Sequence, residues 1–431
     1  ARALFALPID ATAAHARDVG HRAGAACLWP RRGPVHVNVA FREPLVPTDA
    51  GRCGPWSPGD RSVHLPARTT PDLGAVAATA AHLGGRRGAI LAGRLAPGDP
   101  AAEGVIGLAL ALDCAIIADP LSGLRAGAPA EARVLCAGDA FLRDPAAPWP
   151  DWLIRVGQPP VSRHVEAWAA RCPETILLAG TPQWADPLRR AGTVLLGDPA
   201  ATLTMLAAAV SRAGLRAAPW DALDHCEAAA RAALARLDTL PAEAGLVGAI
   251  AAAAPAGTPV FVANSLVVRD FDSFLFRRPA ALRLYANRGV SGIDGNLSTA
   301  AGLVAGTGQP GIAVVGDLAL FHDLNALSLC AARPLVVVVV NNGGGAIFRQ
   351  LPQAGLPEFE SLWLTPPQLE VERAAALFGL EYQRFDGPDA LEAAIVGALE
   401  GARGALLELL VDREASHAGR QAWWSSVQAG A

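Results

Sequence analysis

Lysine is absent from this 431-residue chain: all 36 basic side chains are arginines, set against 40 acidic ones for a formal net charge of -4. A Walker-type phosphate loop needs its lysine, and imine chemistry with pyridoxal phosphate or carbonyl substrates needs an amine nucleophile, so both classes are excluded. The mildly acidic balance argues against a nucleic-acid surface, because counterion release wants a basic face. Cysteine is sparse and odd in number, seven residues with no C-x-x-C pair. Neither a disulfide framework nor a zinc site is indicated, and a reducing compartment, the cytoplasm, is expected. No run approaches the roughly 18 continuous apolar residues of a membrane span, and no signal-peptide pattern opens the sequence. The G-x-S-x-G and H-E-x-x-H motifs are also missing.

With 52% hydrophobic and 18% charged residues, the chain is globular rather than disordered. At about 150 residues per domain its length suggests two to three domains. The only methionine is Met205, and the first residues run into a helical pattern followed by the strand-like Pro34 to Val39. A lone helix and strand cannot bury their own faces. Residues 1–45 are therefore expected to be the tail of an N-terminal domain, followed by a Pro/Gly-rich linker over 46–71.

Short apolar runs then alternate with alanine-rich helical stretches. Ala89 to Leu91, Cys114 to Ile117, Leu153 to Val156, Thr175 to Leu178 and Thr193 to Leu196 predict strands of one parallel sheet over 72–210. Val260 to Ala263, Ile312 to Val315, Leu335 to Val340 and Leu406 to Val411 predict a second over 220–431. The fold class is α/β, with two doubly wound parallel-sheet domains plus a remnant of a third.

The informative turns are Gly316-Asp317-Leu318, directly after one predicted strand, and Asn341-Asn342-Gly343-Gly344-Gly345, directly after another. In a parallel sheet both lie at the carboxyl edge, where ligands bind, and can converge on one ion. The Asp317 carboxylate, the Asn342 amide oxygen and the Gly344 carbonyl are hard oxygen donors suited to Mg²⁺ that takes its remaining ligands from water and a diphosphate. Gly316, Leu318, Asn341 and Gly343 frame the cofactor side, and the helix expected next offers its N-terminal N–H groups. Gly306 to Gly311 spells G-x-G-x-x-G, yet it precedes a strand where a dinucleotide loop must follow one, and it is read as a turn.

Asp317 and Asn342 stand 25 positions apart, and the flanking Gly-Asp and Asn-Asn resemble the thiamine diphosphate motif. Further segments narrow the resemblance: Gly33 to Leu45, Asn264-Ser265-Leu266-Val267-Val268-Arg269, Asn287 to Gly295 and Ala346 to Pro352. Together they resemble the 2-succinyl-5-enolpyruvyl-6-hydroxy-3-cyclohexene-1-carboxylate synthase family (MenD) of menaquinone biosynthesis, up to about Leu380. The resemblance implies the thiamine diphosphate-binding fold, thiamine diphosphate with Mg²⁺ or Mn²⁺, and a homodimer or homotetramer. It implies decarboxylation of 2-oxoglutarate and addition of the succinyl unit to isochorismate.

By their places in those motifs, Ser265 and Arg269 are expected to bind a succinyl carboxylate and Arg288 to sit on the isochorismate side. Ile293 matches the residue that props the cofactor into a bent shape. Ile347, Phe348 and Leu351 are expected to form an apolar wall, with Ile347 also touching the cofactor. Gly157 to Arg163 resembles a loop that reaches isochorismate, although the family commonly has lysine where Arg163 stands. The bland readings are a solvated surface charge for Arg163, a turn cap for Ser265 and core packing for Ile293, Phe348 and Leu351. The family's cofactor-activating glutamate lies in its N-terminal domain, so no glutamate here is assigned that role and the chain alone is expected to be inactive. Two alternatives stay open: a truncated non-catalytic protein that binds cofactor or metabolite, and another thiamine diphosphate-dependent 2-oxoacid decarboxylase or carboligase.

Overall fold

The computed structural model describes residues 4–8, 12–28, 33–43, 45, 69–180, 185–368 and 370–429. Most of the expected linker, 46–68, lies outside them. One compact unit comprises Ala1–Pro71, Ala179–Trp184 and Leu196–Asp198. In it, β1 (Leu4–Leu7), the helix Ala13–Leu28 and β2 (His36–Val39) form a parallel β-α-β element, with Leu4 opposite His36 and Leu7 opposite Val39. The expected helix and strand are present as Ala13–Leu28 and β2, and Leu4 to Leu7 add a strand ahead of them that was not expected. A four-residue apolar run is too short for periodicity to distinguish the two. All four β2 residues are exposed, and only Val19 and Ala23 of the helix are buried.

The other unit, Asp72–Leu178, Ala185–Leu195 and Pro199–Ala431, holds both large sheets. The first contains β3 (Gly88–Ala92), β4 (Ala115–Ala118), β5 (Val134–Leu135), β6 (Trp152–Val156), β7 (Thr175–Ala179) and β8 (Ala191–Leu196), in the order β5-β4-β3-β6-β7-β8. The second contains β9 (Pro259–Val262), β10 (Arg283–Tyr285), β11 (Gly311–Gly316), β12 (Leu335–Asn341), β13 (Glu381–Phe385) and β14 (Ala405–Leu410), in the order β10-β9-β11-β12-β14-β13. The strand pairings recorded in both are parallel. Helices cover both faces, which explains why β3, β4 and β9 read as unbroken apolar runs: every residue in them is buried, as is every residue of β6, whose one charge, Arg155, pairs with Glu166 at 2.8 Å. The Gly306 to Gly311 segment is a turn, with Gly308 in the left-handed conformation ending the helix Asn296–Thr307 and Gly311 opening β11.

One contiguous apolar core joins the two sheets, containing Leu91, Phe141 and Trp168 beside Val262, Val268 and Trp423. Inside this unit Arg125 acts as a polar clamp. Its guanidinium meets Asp272 Oδ1 at 2.7 Å and donates to the carbonyls of Ala118 (2.8 Å), Asp272 (2.6 Å) and Leu275 (3.1 Å). Side-chain exposure of the pair is 3% and 5%, so removing the cation strands a buried carboxylate and several carbonyls. Arg125→Ala is expected to cost on the order of 3–5 kcal/mol in urea unfolding, whereas Arg163→Ala, on an exposed residue, should stay within about 0.5 kcal/mol. Equal effects would contradict the clamp.

Candidate functional site

Four of the sequence segments singled out above leave the carboxyl ends of four adjacent strands, β10, β9, β11 and β12. β11 and β12 run in register from Gly311 opposite Leu335 to Gly316 opposite Val340. The turns carrying Asp317 and Asn342 therefore emerge side by side, and a hydrogen bond from Gly344 N to Asp317 Oδ2 (2.8 Å) links them. Leu318 N donates to Asp317 Oδ1 at 2.7 Å. Burial pushes Asp317 up to about 6, against the pull of the Leu318 and Gly344 N–H groups.

Asn342 is buried, and its Oδ1 has no hydrogen-bond partner within the protein. A desolvated amide oxygen without a donor is costly unless a ligand completes it. The Gly344 carbonyl accepts from Ala346 N at 2.9 Å and keeps a second lone pair. Gly343 and Gly344 have φ of +74° and +122°. A Cβ at Gly344 would stand 2.1 Å from the Leu364 carbonyl oxygen, so only glycine fits this turn. One carboxylate, one amide oxygen and one carbonyl fit a hard divalent cation completed by a diphosphate. Among the described residues no cluster of three or more His, Cys, Asp or Glu could hold a metal instead.

The helix expected after this turn is short and of 3₁₀ type. It spans five residues, Ala346–Gln350, and is followed by a π-helical turn, Glu360–Leu364, whose Leu364 carbonyl accepts from Gly345 N at 2.6 Å. Gly316 and Leu318 flank Asp317 and are half-buried. Asn341 turns its amide nitrogen to Glu408 Oε1 (2.6 Å) while its Oδ1 accepts from Gly343 N (3.2 Å).

A cleft of about 170 Å³ is lined by Arg163, Arg269, Ile347, Phe348 and Leu351 together with Asp139, Arg143, Ser273, Arg420 and Trp424. Ile347, Phe348 and Leu351 are half-buried and form a cleft wall rather than core. Phe348 stands edge-on to Trp363, ring centroids 5.3 Å apart. Arg143 and Arg420 are already committed. Arg143 pairs with Asp139 at 3.0 Å and stacks on Trp424, and Arg420 pairs with Asp270 at 2.5 Å and Glu243 at 3.1 Å.

Among the described residues no carboxylate forms an ion pair with Arg163, Arg269 or Arg288. Arg269 donates to the Ser265 carbonyl at 2.5 Å, and Arg288 to Asn264 Oδ1 at 2.9 Å. Burial lowers the pKa of both, and the Arg288 charge lowers Arg269 further. Asp119 acts on Arg288 and Asp139, Asp270 and Asp272 on Arg269 through space, but none is in direct contact, and half-buried guanidinium groups not tied up in an ion pair are suited to meeting anionic ligands. Ser265 has φ +68° and its hydroxyl caps no helix, so it is not the simple turn cap of the bland reading. A non-glycine residue in this region is strained, as residues at ligand sites often are. Ser265, Arg288 and Ile293 are not among the residues lining the cleft. Ile293 packs half-buried on the core that contains Leu297.

Sequence reasoning missed Asp139, Arg143, Ser273, Arg420 and Trp424, which no motif marks. It also missed His164 beside Arg163. Burial lowers His164 to about 4, and the Arg143 and Arg163 charges act in the same direction. The unfolded histidine, near 6.5, takes up a proton that the folded chain refuses until about pH 4. The unfolded state thus binds more protons in that window, and stability present above pH 6.5 is lost as pH falls toward 4. His164→Gln should remove on the order of 1–2 kcal/mol of this loss, allowing for partial exposure. A His164 NMR titration midpoint near 6.5 would contradict it.

Residues 271–409 match the family described as thiamine pyrophosphate enzyme, C-terminal TPP binding domain. The 2-succinyl-5-enolpyruvyl-6-hydroxy-3-cyclohexene-1-carboxylate synthase of Dechloromonas aromatica (strain RCB) is 37% identical over 398 residues, covering 91% of this chain and 71% of the relative. The synthases of the same name from Halobacterium salinarum (37% over 439 residues; 94% and 72%) and Thermobifida fusca (38% over 428 residues; 96% and 74%) are similarly related. Benzoylformate decarboxylase from Polynucleobacter necessarius superposes with a TM-score of 0.61 at 16% identity, covering 91% of this chain and 73% of that structure, a likeness of fold alone.

Proposed function

Since the chain belongs to the 2-succinyl-5-enolpyruvyl-6-hydroxy-3-cyclohexene-1-carboxylate synthase family, a family of thiamine diphosphate-dependent carboligases, we propose that it serves the reaction in which 2-oxoglutarate loses CO₂ and its succinyl unit is added to isochorismate. The observation that carries this reading is the pairing of a diphosphate-and-cation cradle with half-buried arginines that have no carboxylate partner. Both substrates are polyanions, and in a chain without lysine arginine is the permanent cation available.

Thiamine diphosphate, when bound, supplies the electron sink that lets CO₂ leave a 2-oxoacid. Asp317, Asn342 Oδ1 and the Gly344 carbonyl hold Mg²⁺, and Mn²⁺ is an expected substitute. Gly316, Leu318, Asn341 and Gly343 shape the loops around the diphosphate, and Ile293 and Ile347 contact the rest of the cofactor. Arg269 and Ser265 take a succinyl carboxylate, Arg288 stands on the isochorismate side, and Arg163 reaches over from the loop after β6. Phe348 and Leu351 exclude water, which strengthens each of these charge contacts.

The domain division at 45, 71 and 210–220, self-association as a dimer or tetramer, and a cytoplasmic location belong to the same proposal. No helix among the described residues is long and apolar enough to cross a membrane. The cofactor-activating glutamate is assigned to none of the glutamates here. The 431-residue chain is accordingly expected to bind thiamine diphosphate in a Mg²⁺-dependent manner in calorimetry, and Asp317→Ala to lose that dependence. Product formation from 2-oxoglutarate and isochorismate should require an added N-terminal pyrimidine-binding domain. Robust turnover by the chain alone would refute the expected inactivity, and 2-oxoglutarate consumption indifferent to isochorismate in the complemented protein would point to another decarboxylase.

A further inference from the structure

Glu408 is a carboxylate in an apolar place. It lies in β14, 5% exposed, between Leu407 and Leu409, opposite Val339 of β12 on one side and the exposed Arg384 of β13 on the other. Register and the two-residue period of strands put Asn341, opposite Leu410, and Tyr382, opposite Leu406, on the same face as Glu408. Glu408 Oε1 accepts from Asn341 Nδ2 at 2.6 Å, and Oε2 accepts from the Tyr382 hydroxyl. Among the described residues no cation pairs with it. Arg384 stands opposite without a direct bond to it, so the hydrogen bonds this buried carboxyl receives come from two neutral donors, a costly arrangement for packing alone, which points to a task outside packing.

That task can be read from the other end of Asn341. With its amide NH₂ committed to Glu408, the Asn341 oxygen must face the loop, where it accepts from Gly343 N at 3.2 Å. Rotating the amide would set two donors against each other and an oxygen against the carboxylate. The next N–H along, that of Gly344, is held by Asp317 Oδ2 at 2.8 Å. Successive amides of the Gly343-Gly344 turn are thus pinned from two strands, leaving the Asn342 oxygen without a partner.

We propose that Glu408 is a positioning residue for the cation and diphosphate site, acting through Asn341 to hold the Gly343-Gly344 turn in its ligand-ready shape. This rests on the cofactor reading above, and it extends to a residue 66 positions beyond Asn342 that no motif marks.

The test is Mn²⁺ affinity in the presence of thiamine diphosphate, read by electron paramagnetic resonance on the full chain. Glu408→Met fills the same volume without an acceptor and should weaken Mn²⁺ binding 10–100-fold, the usual effect of losing an outer-shell partner. Glu408→Gln keeps an acceptor for Asn341 and should stay within about threefold. Asn341→Ala should match Glu408→Met, and the double variant should be no weaker than either, since one path cannot be cut twice. Parent-like affinity in Glu408→Met or in Asn341→Ala, or additive losses in the double variant, would overturn the proposal. If Glu408→Met does not fold, Glu408→Asp, which withdraws the carboxylate by one methylene, carries the same comparison. A parent chain that binds no Mn²⁺ with the cofactor refutes the cofactor reading itself, an outcome distinct from parent binding that the variants leave unchanged.

Discussion

The parallel pairing of β11 with β12 is the constraint on which the site depends. With Gly316 opposite Val340, the two strands end at the same level, and Asp317 and the Asn341 to Gly345 turn emerge as neighbours. Slipping the register by one residue would turn the side chains of one strand to the other face and separate Asp317 from the Gly344 amide. The register is held by the unbroken burial of Leu335 to Val340 and of Gly311 to Val315. The apolar core thus fixes the position of polar atoms that are not part of it.

Arginine plays three physically distinct roles here. Arg125 and Arg420 are buried, carboxylate-paired structural elements. Arg143 is intermediate, paired with Asp139 yet facing the cleft and stacked on Trp424. Arg163 and Arg269 line the cleft, and Arg288 follows the neighbouring strand β10, each without a carboxylate in ion-pair contact among the described residues. The planar fork that satisfies several carbonyls at once in Arg125 also suits a bidentate grip on a free carboxylate. A chain without lysine can therefore use one residue type for both tasks.

The interior of the fold was legible in the sequence and its margins were not. The central strands β3, β4, β6, β7, β9, β11, β12 and β14 announce themselves as predominantly apolar runs because both faces are covered, broken by a single buried charge in β6 (Arg155) and in β14 (Glu408). In the two large sheets the strands that escaped, β5, β10 and β13, are edge strands of two, three and five residues, while the edge strand β8 was read from its apolar Thr193 to Leu196; the short β1 of the other unit also escaped. Glu381-Tyr382-Gln383-Arg384-Phe385 has no buried residue, so nothing required it to be apolar. The site divides in the same way. Asp317, Asn342 and the glycines could be read because turn chemistry and cation chemistry both restrict those positions. Asp139, Arg143, Arg420 and Glu408 come from distant elements, where only the folded geometry supplies the neighbour that gives each its meaning.

The unpartnered Asn342 oxygen also affects how the molecule responds to its surroundings. A desolvated acceptor weakens the empty fold slightly, and the cation proposed to satisfy it would return that free energy to the folded state alone. Under that proposal folding and loading would be linked by mass action, with stability climbing as the logarithm of free ligand above its dissociation constant. Resistance to unfolding and to proteolysis would thereby follow the supply of cation and cofactor, so that the lifetime of the chain records whether it is loaded.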